Sequence, residues 1–105
     1  MSESPTLSIV MPVLNESARI ADTLEAITAL RRCGAEVIVV DGGSNDGTAE
    51  LAAPLADRVI VSARGRARQM NAGADVARGE ILLFLHADTR LPPDSCKLVE
   101  RALTR

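Results

Sequence analysis

The stretch Val37-Ile38-Val39-Val40-Asp41-Gly42-Gly43-Ser44-Asn45-Asp46-Gly47-Thr48 constrains the fold more than any other part of the chain. It opens with an unbroken run of β-branched apolar residues, and successive side chains of a strand point to opposite faces. A strand that is apolar on both faces belongs in the middle of a parallel sheet covered from both sides. The run then changes abruptly to small and acidic residues. Glycine permits a sharp turn and a close approach of backbone to a ligand. Asp46 or Thr48 suits the cap of a following helix. In open α/β sheets, ligand-binding groups gather where buried strands end. The same residues also make a plain strand–loop–helix turn with Asp41 and Asp46 as caps, and the stretch alone does not choose.

The rest of the chain repeats the pattern. Residues 7–13 read as a first strand, ending near Pro12. Asn15 or Ser17 can cap a helix to about Cys33, in which Ile20, Leu24, Ile27 and Leu30 share one face. Arg31 and Arg32 suit its C-terminus and Gly34 stops it. Residues 36–40 form a second strand, 48–55 a second helix and 58–61 a short third strand at an edge. A third helix spans 67–77, a fourth strand 81–85, and Pro92-Pro93-Asp94 starts a last helix. Strands alternating with helices give a parallel sheet with right-handed crossovers. The expected strand order is 3-2-1-4, which reverses between strands 1 and 4 and opens a crevice at their carboxyl ends. The loops after all four strands fall on that edge and carry most of the unusual polar residues.

Composition narrows the function. At 105 residues the chain is one domain or part of one. A net charge of −2 gives no basic footprint for nucleic acid. Of the 12 basic residues only Lys97 is lysine, and Phe84 is the single aromatic. Cys33 and Cys96 form no CxxC and are expected as free thiols in a reducing, cytoplasmic compartment. The N-terminus is polar and acidic, unlike a signal peptide, and no apolar run is long enough for a membrane span.

Three constellations could carry chemistry. Asn15 and Glu16 follow the first strand, as helix cap and first-turn acid or as contacts to a ribose or base. Arg64, Arg66 and Arg68 alternate, with Asn71 one turn beyond Arg68. Arginine presents a rigid fork of donors that fits phosphate, although a solvated basic turn is the commoner fate of such a cluster. His86 and Asp88, two apart beyond a buried strand, point the same way in extended backbone and could share one divalent cation. Carboxylate suits Mg²⁺ or Mn²⁺, and imidazole tolerates Mn²⁺ better. The plain alternative is a histidine closing the strand and an aspartate in a turn.

Taken together, the motifs Val10-Met11-Pro12-Val13-Leu14-Asn15-Glu16, Val39 to Thr48, Gly65-Arg66-Ala67-Arg68-Gln69-Met70-Asn71-Ala72-Gly73 and Gly79-Glu80-Ile81-Leu82-Leu83-Phe84-Leu85-His86-Ala87-Asp88-Thr89 occur in order. The ordered set resembles the family 2 glycosyltransferases, with the GT-A fold, over residues 7–93. The His-Ala-Asp-Thr variant is most similar to a bacterial subgroup linked to arsenosugar biosynthesis. The resemblance implies an open, mainly parallel Rossmann-like sheet, the N-terminal half of a GT-A fold, with residues 1–105 as one truncated nucleotide-sugar-binding domain. It implies sugar transfer, with inversion, from a nucleotide-sugar donor (a UDP-sugar) to an unknown acceptor.

By the same resemblance, Pro12, Asn15 and Glu16 would lie beside the nucleoside. Asp41 would accept a hydrogen bond from uracil, and Asp46 would support that loop. Arg68 and Asn71 would sit near base and diphosphate. Ala87 belongs to the donor-binding motif. Asp88, joined by His86, would hold a divalent metal, Mn²⁺ or Mg²⁺. His86 departs from the pattern by standing where the first aspartate of the family's Asp-x-Asp usually sits. The catalytic base is expected in a C-terminal part beyond this chain. That leaves a second reading, a nucleotide-binding module without turnover. It also leads us to expect self-association through an uncovered sheet edge. The segment around His86 loosely resembles the first motif of haloacid dehalogenase phosphatases, but that chemistry needs a nucleophilic aspartate where His86 stands.

Overall fold

The structure is a computed structural model that describes residues 7–88 together with Lys97 and Arg101. Apart from Lys97 and Arg101, which are helical, the expected last helix lies outside the described residues, as do the loop beyond Asp88, Cys96 and the N-terminal residues 1–6. Strand β1 (Leu7–Val13) pairs in parallel with β2 (Glu36–Asp41), in a register that sets Val13 beside Asp41. On the far side of β2, β3 (Arg58–Val61) sets Val61 beside Asp41. On the other side of β1, β4 (Ile81–Phe84) sets Phe84 beside Val10. The order is β3-β2-β1-β4 with every pair parallel, as the alternation of elements implied.

The side chains of β1 and β2 sort by strand parity into two cores. Ile9, Met11, Val13, Val37 and Val39 pack with Ile20, Leu24, Ile27 and Leu30. Those last four come from α1 (Ile20–Ala26) and α2 (Thr28–Arg32). Val10, Ile38 and Val40 point the other way, against Ala72 and Val76 of α4 (Arg66–Val76). Helix α3 (Thr48–Ala52), continued by a 3₁₀ turn over Ala53–Leu55, adds Ala52 to the first core. Burial on both faces is what the β-branched run required.

One helix expected from the spacing is two. The chain corners at Ile27, where Ile27 N donates to Leu24 O (3.2 Å) and Leu30 N to Ile27 O (3.0 Å). These i→i+3 bonds tighten the helix to three residues per turn, so the apolar face runs through the corner and its period does not reveal the break. The helix also begins later than a cap at Asn15 or Ser17 would place it. Glu16 O takes the amides of Arg19 (3.0 Å) and Ile20 (2.9 Å), and α1 opens at Ile20 without a side-chain cap. A third correction concerns Cys33, at the end of α2. It is disulfide-bonded, not a free thiol, because separation along the sequence sets no lower bound on separation in space.

The amino edge of the sheet is locked by polar groups. Ser8 Oγ donates to Glu36 Oε2 (2.6 Å), and Arg78 N donates to the same oxygen (2.9 Å). Gly79 N donates to Ser8 Oγ (2.8 Å), which ties the entry of β4 to β1. Strand β4 is the least covered. Its apolar run suggested a fully buried strand, yet Ile81 (45%), Leu82 (38%) and Phe84 (39%) are exposed. Among the described residues no helix is long and apolar enough to cross a membrane.

Helix α4 lies very close to the sheet at Gly73, where an added Cβ would sit 2.4 Å from Val10 Cγ1 and 3.0 Å from Val40 Cγ2. Glycine-to-alanine in a helix ordinarily stabilises by roughly 0.5–1 kcal/mol. Here the sign reverses: Gly73→Ala should destabilise by about 1–3 kcal/mol through overpacking, read as a lower midpoint in chemical denaturation.

Candidate functional site

Strands β1 and β4 diverge at their carboxyl ends, and a cavity of about 350 Å³ opens there. Its floor comes from the end of β1 and the loop after it, through Pro12, Val13, Leu14 and Glu16. One wall is the turn beyond β4, with His86, Ala87 and Asp88. The other is the first turn of α4, with Arg66 and Gln69. This is the topological switch point, where open α/β sheets hold their ligands.

The loop after β1 is sewn to the loop after β2. Asn15 N donates to Ser44 Oγ (2.8 Å), and Asn15 Oδ1 accepts from Asn45 N (3.0 Å). Glu16 N donates to Thr48 Oγ1 (2.9 Å), and Ser17 N to Asp46 Oδ2 (3.1 Å). Asn15 has φ +52°, a left-handed conformation that asparagine tolerates better than most residues. Asn15 is therefore a crosslink between loops instead of a helix cap. Asp46 belongs to the same seam: its Oδ1 accepts from Thr48 N (3.1 Å) and from the Thr48 hydroxyl. The Thr48 hydroxyl holds the Asp46 carboxyl at about 2, below its ordinary 3.8.

Asp41 ends the most buried strand and is itself 3% exposed. Its Oδ1 gathers the amides of Gly43 (3.2 Å) and Ser44 (2.9 Å) and the Ser44 hydroxyl (2.6 Å). Among the described residues no hydrogen bond uses Oδ2, and no buried side-chain polar atom lacks a partner. Oδ2 is therefore not sealed from solvent, and it is an acceptor on a carboxylate fixed by its other oxygen.

Two residues that sequence reasoning passed over hold the site together. The Gln69 side chain, 5% exposed, donates from Nε2 to both Val13 O and Val40 O, each at 2.9 Å, and accepts from Gly65 N at 3.2 Å. Gln69 sits in a polar run that gives little signal of burial; it shares a helix face with Gly73, one turn on, which meets the sheet. Thr23 on α1 donates its hydroxyl to Ala87 O and so anchors the turn carrying His86 and Asp88. Arg68 and Asn71 were expected near base and diphosphate. Both are exposed on the outer face of α4 and neither lines the cavity; Arg66 takes that place. Arg64 is likewise exposed.

His86 and Asp88 line the same cavity. Among the described residues no group of three His, Cys, Asp or Glu side chains could hold a metal ion. This donor set fits a cation completed by phosphate oxygens and water, a common mode for Mg²⁺. It does not fit a metal centre made of protein ligands alone.

Sheet order and helix placement are those of the N-terminal half of a GT-A fold. The chain belongs to glycosyl transferase family 2, whose family model matches residues 8–105. A PGL/p-HBAD biosynthesis glycosyltransferase of Mycobacterium tuberculosis is 42% identical over 96 residues, covering 84% of this chain and 37% of the relative. An undecaprenyl-phosphate 4-deoxy-4-formamido-L-arabinose transferase of Pseudomonas paraeruginosa is 35% identical, covering 91% and 32%. The chain thus spans about a third of the length of these curated relatives. Among solved structures, glucosyl-3-phosphoglycerate synthase of M. tuberculosis, in complex with Mn²⁺, UDP and glucosyl-3-phosphoglycerate, superposes with a TM-score of 0.79. It shares 28% identity over 95% of this chain and 40% of its own. A mannosyltransferase of Pyrobaculum calidifontis, in complex with GDP-Man and Mn²⁺, gives 0.80 at 28% identity over 98% of this chain and 34% of its own.

The seam predicts an acid-sensitive loop. A carboxyl with a lowered folded pKa contributes stability above its unfolded value, lost as pH falls through its folded value. For Asp46 that window runs from 3.8 down to about 2. The stability gap between the wild type and Asp46→Asn should be constant above this window and close within it, as measured by denaturation midpoints at stepped pH.

Proposed function

We propose that this chain is the donor-binding part of a glycosyltransferase that passes a sugar from a UDP-sugar to an acceptor, with inversion and with help from a divalent cation. The observation that carries the reading is a fixed carboxylate acceptor, Asp41 Oδ2, on the same sheet edge as a cavity lined by His86 and Asp88. An acceptor held by its other oxygen suits an imide N–H, the group uracil offers on its pairing edge. Pro12 and Glu16 would flank the nucleoside, while Asn15 and Asp46 would keep the two loops in register. Arg66, at the cavity wall, would meet the diphosphate, with Arg68 and Asn71 as outer contacts. His86, Ala87 and Asp88 would form the cation turn, His86 favouring Mn²⁺ over Mg²⁺. A bound cation would supply charge neutralisation for the departing diphosphate.

The whole of residues 1–105 forms one domain in this reading, and the catalytic base and acceptor pocket belong to sequence beyond it. Relatives more than twice as long support that division. It favours the second reading for the isolated chain, nucleotide binding without turnover. A cytoplasmic location goes with a nucleotide-sugar donor, although the disulfide at Cys33 argues for an oxidising one. Exposed Ile81, Leu82 and Phe84 on β4 favour self-association of the isolated chain.

Calorimetric titration with UDP, GDP and CMP, each with and without Mn²⁺, tests the reading. UDP should bind selectively and with Mn²⁺ dependence. Asp88→Ala should abolish the Mn²⁺ dependence, and Asp41→Ala should weaken UDP by about tenfold or more, the size of a hydrogen bond to a charged group. Selective binding of GDP would move the donor to the class bound by the Pyrobaculum enzyme. Equal binding of all three would remove Asp41 from base recognition.

A further inference from the structure

We infer that Gln69 is the positioning residue of the donor site, fixing the Asp41 loop and the basic loop before α4 in one arrangement; the inference rests on the donor-site reading above. A primary amide has two N–H donors and an acceptor oxygen. Both donors are spent on carbonyls at the carboxyl ends of adjacent strands, Val13 O and Val40 O, each at 2.9 Å. The oxygen takes Gly65 N at 3.2 Å. One buried side chain thus ties the last residue of β1, the residue before Asp41 and the glycine before Arg66. The first of these lies in the cavity floor, and the third precedes Arg66 of the cavity wall.

Gly42 is part of the device. An added Cβ there would lie 2.7 Å from Gln69 Oε1 and 2.8 Å from Cδ. Gly42 does not have a positive φ, so space, not backbone strain, keeps the position small. The end of a glutamine normally yields to such a clash, but this one is pinned by three hydrogen bonds. A residue included only to satisfy buried carbonyls would need no contact with Gly65 and no glycine beneath it.

Gln69→Met keeps the length and volume of the side chain and removes every hydrogen bond. Its amide exchange should accelerate by about tenfold at Gly43, Ser44 and Gly65, the loss of one net hydrogen bond, while Val10 and Val39 exchange as in the wild type. UDP affinity in the presence of Mn²⁺ should fall by a similar factor. Gly42→Ala should reproduce the defect in the wild-type background and add little to Gln69→Ala, because the clash and the hydrogen bonds share one partner. Uniform acceleration over loops and strands, or additive Gly42 and Gln69 effects, would overturn the inference and leave Gln69 as a stability residue. Wild-type chain that binds no nucleotide would defeat the donor-site reading instead, while the exchange measurements would still decide the positioning role.

Discussion

The two central strands are buried on both faces, and everything at the carboxyl edge depends on how their last carbonyls are satisfied. A buried carbonyl without a donor costs about as much as a lost hydrogen bond. In the middle of a ladder the neighbouring strand supplies the donor. Where β1 and β2 run out, loops must supply it. Gly42 N caps Val13 O at 3.0 Å, Ser62 N caps Asp41 O at 3.0 Å, and the Gln69 amide serves Val13 and Val40 together. The loops are thereby held against the sheet with little freedom. A site that is rigid before its ligand arrives loses less conformational entropy on binding.

The same economy explains why the polar residues of the loops face one another. Asn15, Ser44, Asp46 and Thr48 spend their hydrogen-bonding capacity on the seam between two loops. Asp41 differs, because one carboxylate oxygen is fully engaged and the other is not. At the opposite edge, the Ser8–Glu36–Gly79 network uses its groups internally and fixes the strands from below. A cavity at that edge, about 290 Å³ and lined by Glu36, Asp57, Arg58 and Arg78, has its acids committed. Glu36 serves Ser8 and Arg78, while Asp57 serves Arg31 and Val37 N. Among the described residues, the carboxyl edge combines a fixed open acceptor with side chains that suit a cation.

Most of the fold was legible because its signals are local and strong. The β-branched run of β2, the apolar run of β1 and the alternation with helices lead to the parallel order that the structure has. What was not legible depends on close packing. The corner at Ile27 leaves no trace in a pattern whose apolar face continues through it. Gln69 sits within Arg66-Ala67-Arg68-Gln69-Met70-Asn71, a run that reads as solvated, and its burial follows only once α4 is laid across Val10 and Val40. For the same reason Arg66 and not Arg68 reaches the cavity: the face that meets the sheet is fixed by Gly73, whose missing side chain lets the helix approach. The disulfide at Cys33 depends on tertiary placement that spacing does not encode.

We place ligand binding at the carboxyl edge, where β1 and β4 diverge. The most direct test is amide-resolved NMR of the chain titrated with Mn²⁺ and UDP. Paramagnetic broadening should centre on residues 86–88, and UDP should shift the amides of Gly42, Gly43 and Ser44. Broadening or shifts centred instead on Glu36, Arg58 and Arg78 at the amino edge, with the carboxyl-edge loops unchanged, would contradict the account.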